Sequence, residues 1–128
     1  MFYSYGYLKY SVNPNKLILE VDQQIQDYYR SQIPFKTNKQ KYQAHITVMR
    51  GENPNPMIHL FHNKKIYFWY DHFLHEDEKY FWLNVSCPQL KDIRQMVGLH
   101  PTHCLTKSPD GRNSFHITIA NLKNLKEL

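Results

Sequence analysis

Two short segments of the chain carry the same chemistry. His45-Ile46-Thr47-Val48 recurs as His116-Ile117-Thr118-Ile119, 71 residues later. Along a β-strand, residues i and i+2 share a face. His45 and Thr47 therefore point one way and Ile46 and Val48 the other, and the second copy repeats this parity. Each copy can send its aliphatic pair into a core and leave an imidazole beside a hydroxyl on the opposite face. Two such faces brought together make a pocket with two imidazoles and two hydroxyls. One neutral imidazole can take a proton from an attacking oxygen, while a second, protonated one gives a proton to the leaving oxygen. Threonine hydroxyls can donate hydrogen bonds to non-bridging phosphate oxygens as charge develops. The set reads as acid–base phosphodiester cleavage without a metal, with His45, Thr47, His116 and Thr118 as the catalytic candidates.

The surrounding pattern supplies elements to hold these strands. Residues 2–12 read as a Tyr-rich strand. Asn13 and Pro14 have the form of an N-cap and first helical residue, and Leu17, Ile18, Val21, Ile25, Tyr28 and Gln32 then follow helical spacing up to Pro34. Residues 35–43 form a polar loop with Lys36, Lys39 and Lys41. A strand at 44–50 is followed by a loop at 51–56 that contains Asn-Pro twice. Aromatic strands at 65–74 and 79–86 form a hairpin around His75-Glu76-Asp77-Glu78. Ser86-Cys87-Pro88-Gln89 has the spacing of a capping box, opening a helix with Leu90, Ile93 and Val97 that closes at Gly98. Residues 101–114 form a loop with a turn at Ser108-Pro109-Asp110-Gly111, and 115–121 is the last strand. The order β-α-β, β-β-α, β places one long helix in each half. It predicts an α+β fold of mostly antiparallel sheets with helices on the outside, in one domain spanning 1–128.

Composition narrows the function classes. The 128 residues include 16 Lys and Arg against 11 Asp and Glu, a net charge of +5 that suits an anionic partner. No run of five basic residues exists, so a purely electrostatic nucleic-acid tail is excluded. The longest unbroken apolar run, Ile66 to Tyr70, is far short of a membrane span. The first residues have neither the basic nor the apolar region of a secretory signal. Two cysteines, Cys87 and Cys104, do not make a disulfide scaffold; a reducing, cytoplasmic setting is expected. The pairs His59/His62, His72/His75 and His100/His103, the last followed by Cys104, match no strong zinc template. No phosphate-binding or dinucleotide-binding glycine motif is present, so no cofactor is expected.

The two His-x-Thr-x segments, with apolar residues at x, resemble the defining motifs of the 2H phosphoesterase superfamily, one in each half of a duplicated, two-lobed α+β fold. The resemblance covers nearly the whole chain. It implies that His45 and His116 form the catalytic pair, that Thr47 and Thr118 bind phosphate, and that no metal takes part. The size and motif positions are most similar to the phage anti-CBASS phosphodiesterases, compact enzymes that linearise cyclic oligonucleotide alarm signals. That implies 3′–5′ phosphodiester cleavage in a cyclic oligonucleotide, within the host cytoplasm. A 2′,3′-cyclic phosphate or a short RNA end is the alternative substrate, and a nucleotide- or RNA-binding module without turnover is the rival reading. Candidate base contacts are Tyr10, Trp69 and Trp82; candidate phosphate contacts are Lys41, Lys107 and Arg112. Only ten residues follow Thr118. A lid over the site would come from the 34–43 or 101–114 loops, or from a second subunit in a homo-oligomer.

Overall fold

A computed structural model describes residues 1–107, 111, 113–123 and 125. Its strands are β1 (Phe2–Ser11), β2 (Lys16–Val21), β3 (Asn38–Lys39), β4 (His45–Arg50), β5 (Lys65–Glu76), β6 (Tyr80–Ser86), β7 (Thr106–Lys107) and β8 (Asn113–Asn121). Helix α1 (Gln23–Ser31) follows β2, a 3-10 helix (Pro56–Phe61) precedes β5, and α2 (Pro88–Met96) follows β6. The fold is mixed α+β and mostly antiparallel strand. Strands β1, β2, β4, β8, β6 and β5 close on one another in that order as a six-stranded barrel.

The first helix begins later than the spacing predicts. Asn13, with φ +59°, lies in a turn between β1 and β2. An Asn-Pro pair opens turns as readily as helices. Leu17, Leu19 and Val21 are buried while Ile18 and Glu20 are only partly covered, the alternation of a strand. A mixed run of apolar residues had satisfied both periods. The helix starts one residue after Asp22, whose carboxylate accepts from the Gln24 N–H at 2.9 Å. The second helix is capped differently too: Ser86 ends β6, Cys87 takes the N-cap without a side-chain bond, and Pro88 stands in the first turn. Gly98 does terminate it, at φ +82°. The turn expected at 108–111 falls largely outside the described residues, as does Arg112.

Each half of the chain thus contributes β-β-α-β, and the pairings repeat in register. Gly6 pairs with Val21 and Tyr70 with Val85, 64 residues on in both strands. Glu20 pairs with His45 and Ile18 with Thr47; Asn84 pairs with His116 and Trp82 with Thr118. The implied pseudo-twofold axis passes between Ser4 and Phe68 on β1/β5 and, across the barrel, between Ile46 and Ile117 on β4/β8.

One parity of all six strands is apolar and fills the barrel: Leu8, Leu19, Ile46, Leu83 and Ile117 are each fully buried, and Ile66 and Phe68 of β5 are 1% exposed. Since β2 and β6 run oppositely, α1 and α2 stand at opposite ends of the barrel. They send Ile25, and Leu90 and Ile93, into the same core. Burial of an aliphatic side chain contributes about 1.5–3 kcal/mol, so the inward parity fixes which residues remain for the outer surface.

Candidate active site

The two motif strands are neighbours. β4 and β8 pair antiparallel at Ile46 and Ile117, both inward. Continuing that register sets His45 across from Thr118 and Thr47 across from His116, all four half-buried on the outer face. The two imidazoles are diagonal neighbours, a relation that separates residues by roughly 7–8 Å in an antiparallel sheet.

Both motif strands carry a bulge at the same place. Leu17 pairs with Met49 but Ile18 with Thr47, so Val48 is an additional residue on β4. Phe81 pairs with Ala120 but Trp82 with Thr118, which makes Ile119 its counterpart on β8. Bulges re-aim side chains beside functional sites. Strict alternation would turn Arg50 inward; the bulge buries Met49 and leaves Arg50 exposed on the face of Thr47.

Each imidazole is held at Nδ1. His45 Nδ1 lies 2.8 Å from the Gln43 carbonyl, which fixes Nδ1 as the donor and leaves Nε2 as a lone-pair acceptor in the neutral ring. His116 Nδ1 lies 2.8 Å from Thr106 Oγ1 on β7. Burial, and then the nearby charge of His45, hold the His116 pKa below the usual histidine value. Both effects favour the neutral ring of His116.

His116 stands between two depressions. One of about 350 Å³ is lined by Asp77, Tyr80, Trp82, Thr106, His116 and Thr118. The other, about 540 Å³, is lined by Thr47, Arg50, Glu52, His103, Cys104 and His116. Behind the second, the fully buried Arg94 donates to both Glu52 carboxylate oxygens at 2.7 and 2.8 Å, to Val48 O at 2.8 Å and to His100 O at 2.7 Å. It ties α2, the end of β4 and the segment after Gly98 into one support. On β6, Asn84 receives the Trp82 indole N–H at 3.2 Å and bonds His75 Nε2 at 2.9 Å.

The other candidates divide. Trp82 borders the site but is 5% exposed, with its ring stacked on His75. Lys107 follows Thr106 on β7 and is exposed. Tyr10 is not brought to the motifs: it shares the parity of Leu8, its hydroxyl bonds Asn15, and its ring meets His59 edge-on. Trp69 faces outward on β5, away from β4 and β8. Lys41 lies over the Tyr42 ring. Thr106, Arg50 and the Arg94–Glu52 pair were not singled out by spacing, since strand bulges and long-range pairings leave no local periodicity. Cys87 and Cys104 are free thiols, their pKa values raised by burial. The His100 and His103 rings stack at 4.3 Å, and among the described residues no three His, Cys, Asp or Glu converge as metal ligands. Among the described residues no helix is long and apolar enough to cross a membrane.

Comparison of the chain with protein-family models, with curated proteins and with solved structures finds no match.

Proposed function

We propose that the protein is a 2H-type phosphodiesterase that cleaves 3′–5′ phosphodiester bonds by histidine acid–base catalysis. The observation that carries this reading is the antiparallel pairing of the two His-x-Thr-x strands at Ile46 and Ile117. It gathers both imidazoles and both hydroxyls on one outer face, about an axis that relates the two halves. The duplicated β-β-α-β organisation supports the two-lobed family resemblance.

In the proposed step, His116 Nε2 takes the proton of the attacking hydroxyl, either the 2′-hydroxyl of a ribose or a water. The oxygen bonds to phosphorus as the bond to the 5′ oxygen breaks, and His45 gives that oxygen its proton. The hydroxyls of Thr47 and Thr118 donate to the non-bridging oxygens. Arg50, on the same face, adds positive charge beside the phosphate.

The substrate that the resemblance points to is a cyclic oligonucleotide signal, as in phage anti-CBASS counter-defence; a 2′,3′-cyclic phosphate RNA end uses the same proton transfers. A cleavage assay in EDTA tests both, with cyclic di- and trinucleotides and a 2′,3′-cyclic-phosphate RNA. Wild type is expected to consume a cyclic oligonucleotide, and His45→Ala and His116→Ala each to lose about 10²–10⁴-fold. Turnover confined to the RNA end moves the substrate to RNA processing. Unchanged turnover in both variants, or binding without turnover by wild type, overturns the catalytic reading.

A further inference from the structure

We infer that the outer face of β1 and β5 is a stacking platform for the unpaired bases of a single-stranded nucleic acid, separate from the His/Thr site. In the barrel order β1 and β5 lie across from β4 and β8, so this face looks away from the motifs. It presents Tyr3, Tyr5, Tyr7, Tyr67 and Trp69, each between 43% and 55% exposed. Aromatic rings of this size are ordinarily drawn into a core, and here the opposite parity of the same strands, with Leu8, Ile66 and Phe68, already fills it. The rings form a continuous surface. Tyr3 and Tyr67 stack at 5.4 Å with an interplanar angle of 4°, Trp69 lies 4.7 Å from Tyr3, and Tyr5 lies 5.9 Å from Tyr67. The internal twofold relates Tyr3 to Tyr67 and Tyr5 to Trp69, so the arrangement is built by both halves.

Charge selects the occupant. Where the two strands pair, from Phe2 to Tyr7 and from Lys65 to Tyr70, the outward positions are these five aromatics with Lys65; Lys9 continues the face on β1, while the carboxylates of Asp71 on β5 and Glu20 on β2 stand at its borders. Lys65 Nζ sits 4.1 Å from the Tyr5 ring centroid and 5.1 Å from that of Tyr67. A cation within a field of open π-faces suits a phosphate backbone whose bases stack on the rings.

Trp69 makes the test direct, because Trp82 is 5% exposed and shielded from a surface ligand. The probe is an oligothymidylate of about 12 nucleotides, which lacks the 2′-hydroxyl, titrated against Trp fluorescence at low salt. Saturable quenching is expected. Tyr67→Ser should weaken binding about 5- to 150-fold, the range for loss of one stacked base. Lys65→Gln should reduce the salt slope by about 0.7. Lys65→Gln should melt as wild type, and Tyr67→Ser, which gives up its stack on Tyr3, should melt somewhat lower while remaining folded. Absence of quenching overturns the inference. So does affinity lost on Arg50→Gln rather than Tyr67→Ser, which would place the strand at the motif face. A concentration-dependent dimer abolished by Tyr67→Ser, with no oligonucleotide binding, would assign the face to a second copy and also overturn it.

Discussion

Arg94 and Glu52 offer the sharpest test of how the motif strands are supported. Arg94 has no exposed surface, and its guanidinium makes four hydrogen bonds of 2.7–2.8 Å, two of them to Glu52. The Glu52 side chain is 30% exposed. The two truncations are therefore unequal. Glu52→Ala leaves a buried guanidinium without its counter-charge, a loss of about 3–5 kcal/mol for a fully buried pair, and about 3 kcal/mol once partial exposure of the carboxylate admits water. Arg94→Met leaves the Val48 and His100 carbonyls unpaired while Glu52 turns to solvent; two unsatisfied acceptors cost about 2–4 kcal/mol. At about 3–5 °C per kcal/mol for a chain of this size, each variant should melt about 10–15 °C below wild type.

The double variant Arg94→Met/Glu52→Ala should be less destabilised than the sum, because no charge is stranded, with a coupling of at least about 1.5 kcal/mol. Urea melts followed by circular dichroism measure all four corners of the cycle. The hydrogen bond from Arg94 lowers the Glu52 pKa and raises that of Arg94. A carboxylate with a depressed folded pKa stabilises above its unfolded pKa and loses that contribution as pH falls through the folded value. Wild type should therefore lose stability on acidification below about pH 4.5, and Glu52→Gln should lose less over the same interval. A Glu52→Ala loss below about 1 kcal/mol, or strictly additive singles, would refute a buried, coupled pair.

Three further outcomes follow from the same geometry. His116 is a histidine with a lowered folded pKa, so its stabilising contribution is present above about pH 6.5 and falls away as pH drops through the folded value; the pH dependence of the melting temperature should be flatter in His116→Gln between about pH 6.5 and 4.5. Thr106→Val removes the partner of His116 Nδ1 and should lower kcat about 10-fold with KM little changed, with Thr106→Ser restoring most of it; an altered KM alone would point to a substrate contact instead. Gly6→Ala should cost about 2–3 kcal/mol in a denaturant melt, because the new Cβ would strike the Glu20 carbonyl and approach Leu19 Cγ at 2.9 Å; an unchanged midpoint would place β1 and β2 further apart than described.

Much of this was legible in the chain because it depends on local alternation. The parity of His45-Ile46-Thr47-Val48 and its repeat gave the outward imidazoles and hydroxyls and the inward aliphatics, and the hairpin of β5 and β6 announced itself by aromatic runs around a charged turn. The β1–β2 hairpin did not. Leu17, Leu19 and Val21 alternate, but Leu17, Ile18, Val21 and Ile25 also satisfy a helical period, and Asn13-Pro14 serves a turn or a cap equally well. Closure of the barrel was invisible because it rests on pairings between distant strands, such as Phe115 with Val85 and Ile46 with Ile117. The bulges at Val48 and Ile119 leave no mark in composition, yet they decide that Arg50 rather than Met49 shares the outer face with Thr47.

The twofold explains why two identical motifs meet, and departures from it explain how they could perform different tasks. Acid–base cleavage needs one imidazole neutral and one protonated at the same instant, which two equivalent sites cannot specify. Here equivalence is broken around each ring. The cross-strand neighbour of His45 is Glu20, and the matching position beside His116 is Asn84. His45 is anchored by a main-chain carbonyl, which only accepts; His116 is anchored by a hydroxyl, which can accept or donate. Burial then disfavours a charge on His116. That burial favours a neutral His116, the state the proposed step asks of its base. Exchanging the two neighbours, Glu20→Asn with Asn84→Glu, should shift the acid limb of the kcat/KM profile to higher pH as His116 gains a carboxylate beside it. An unmoved acid limb would show that burial alone sets the order of the two histidines.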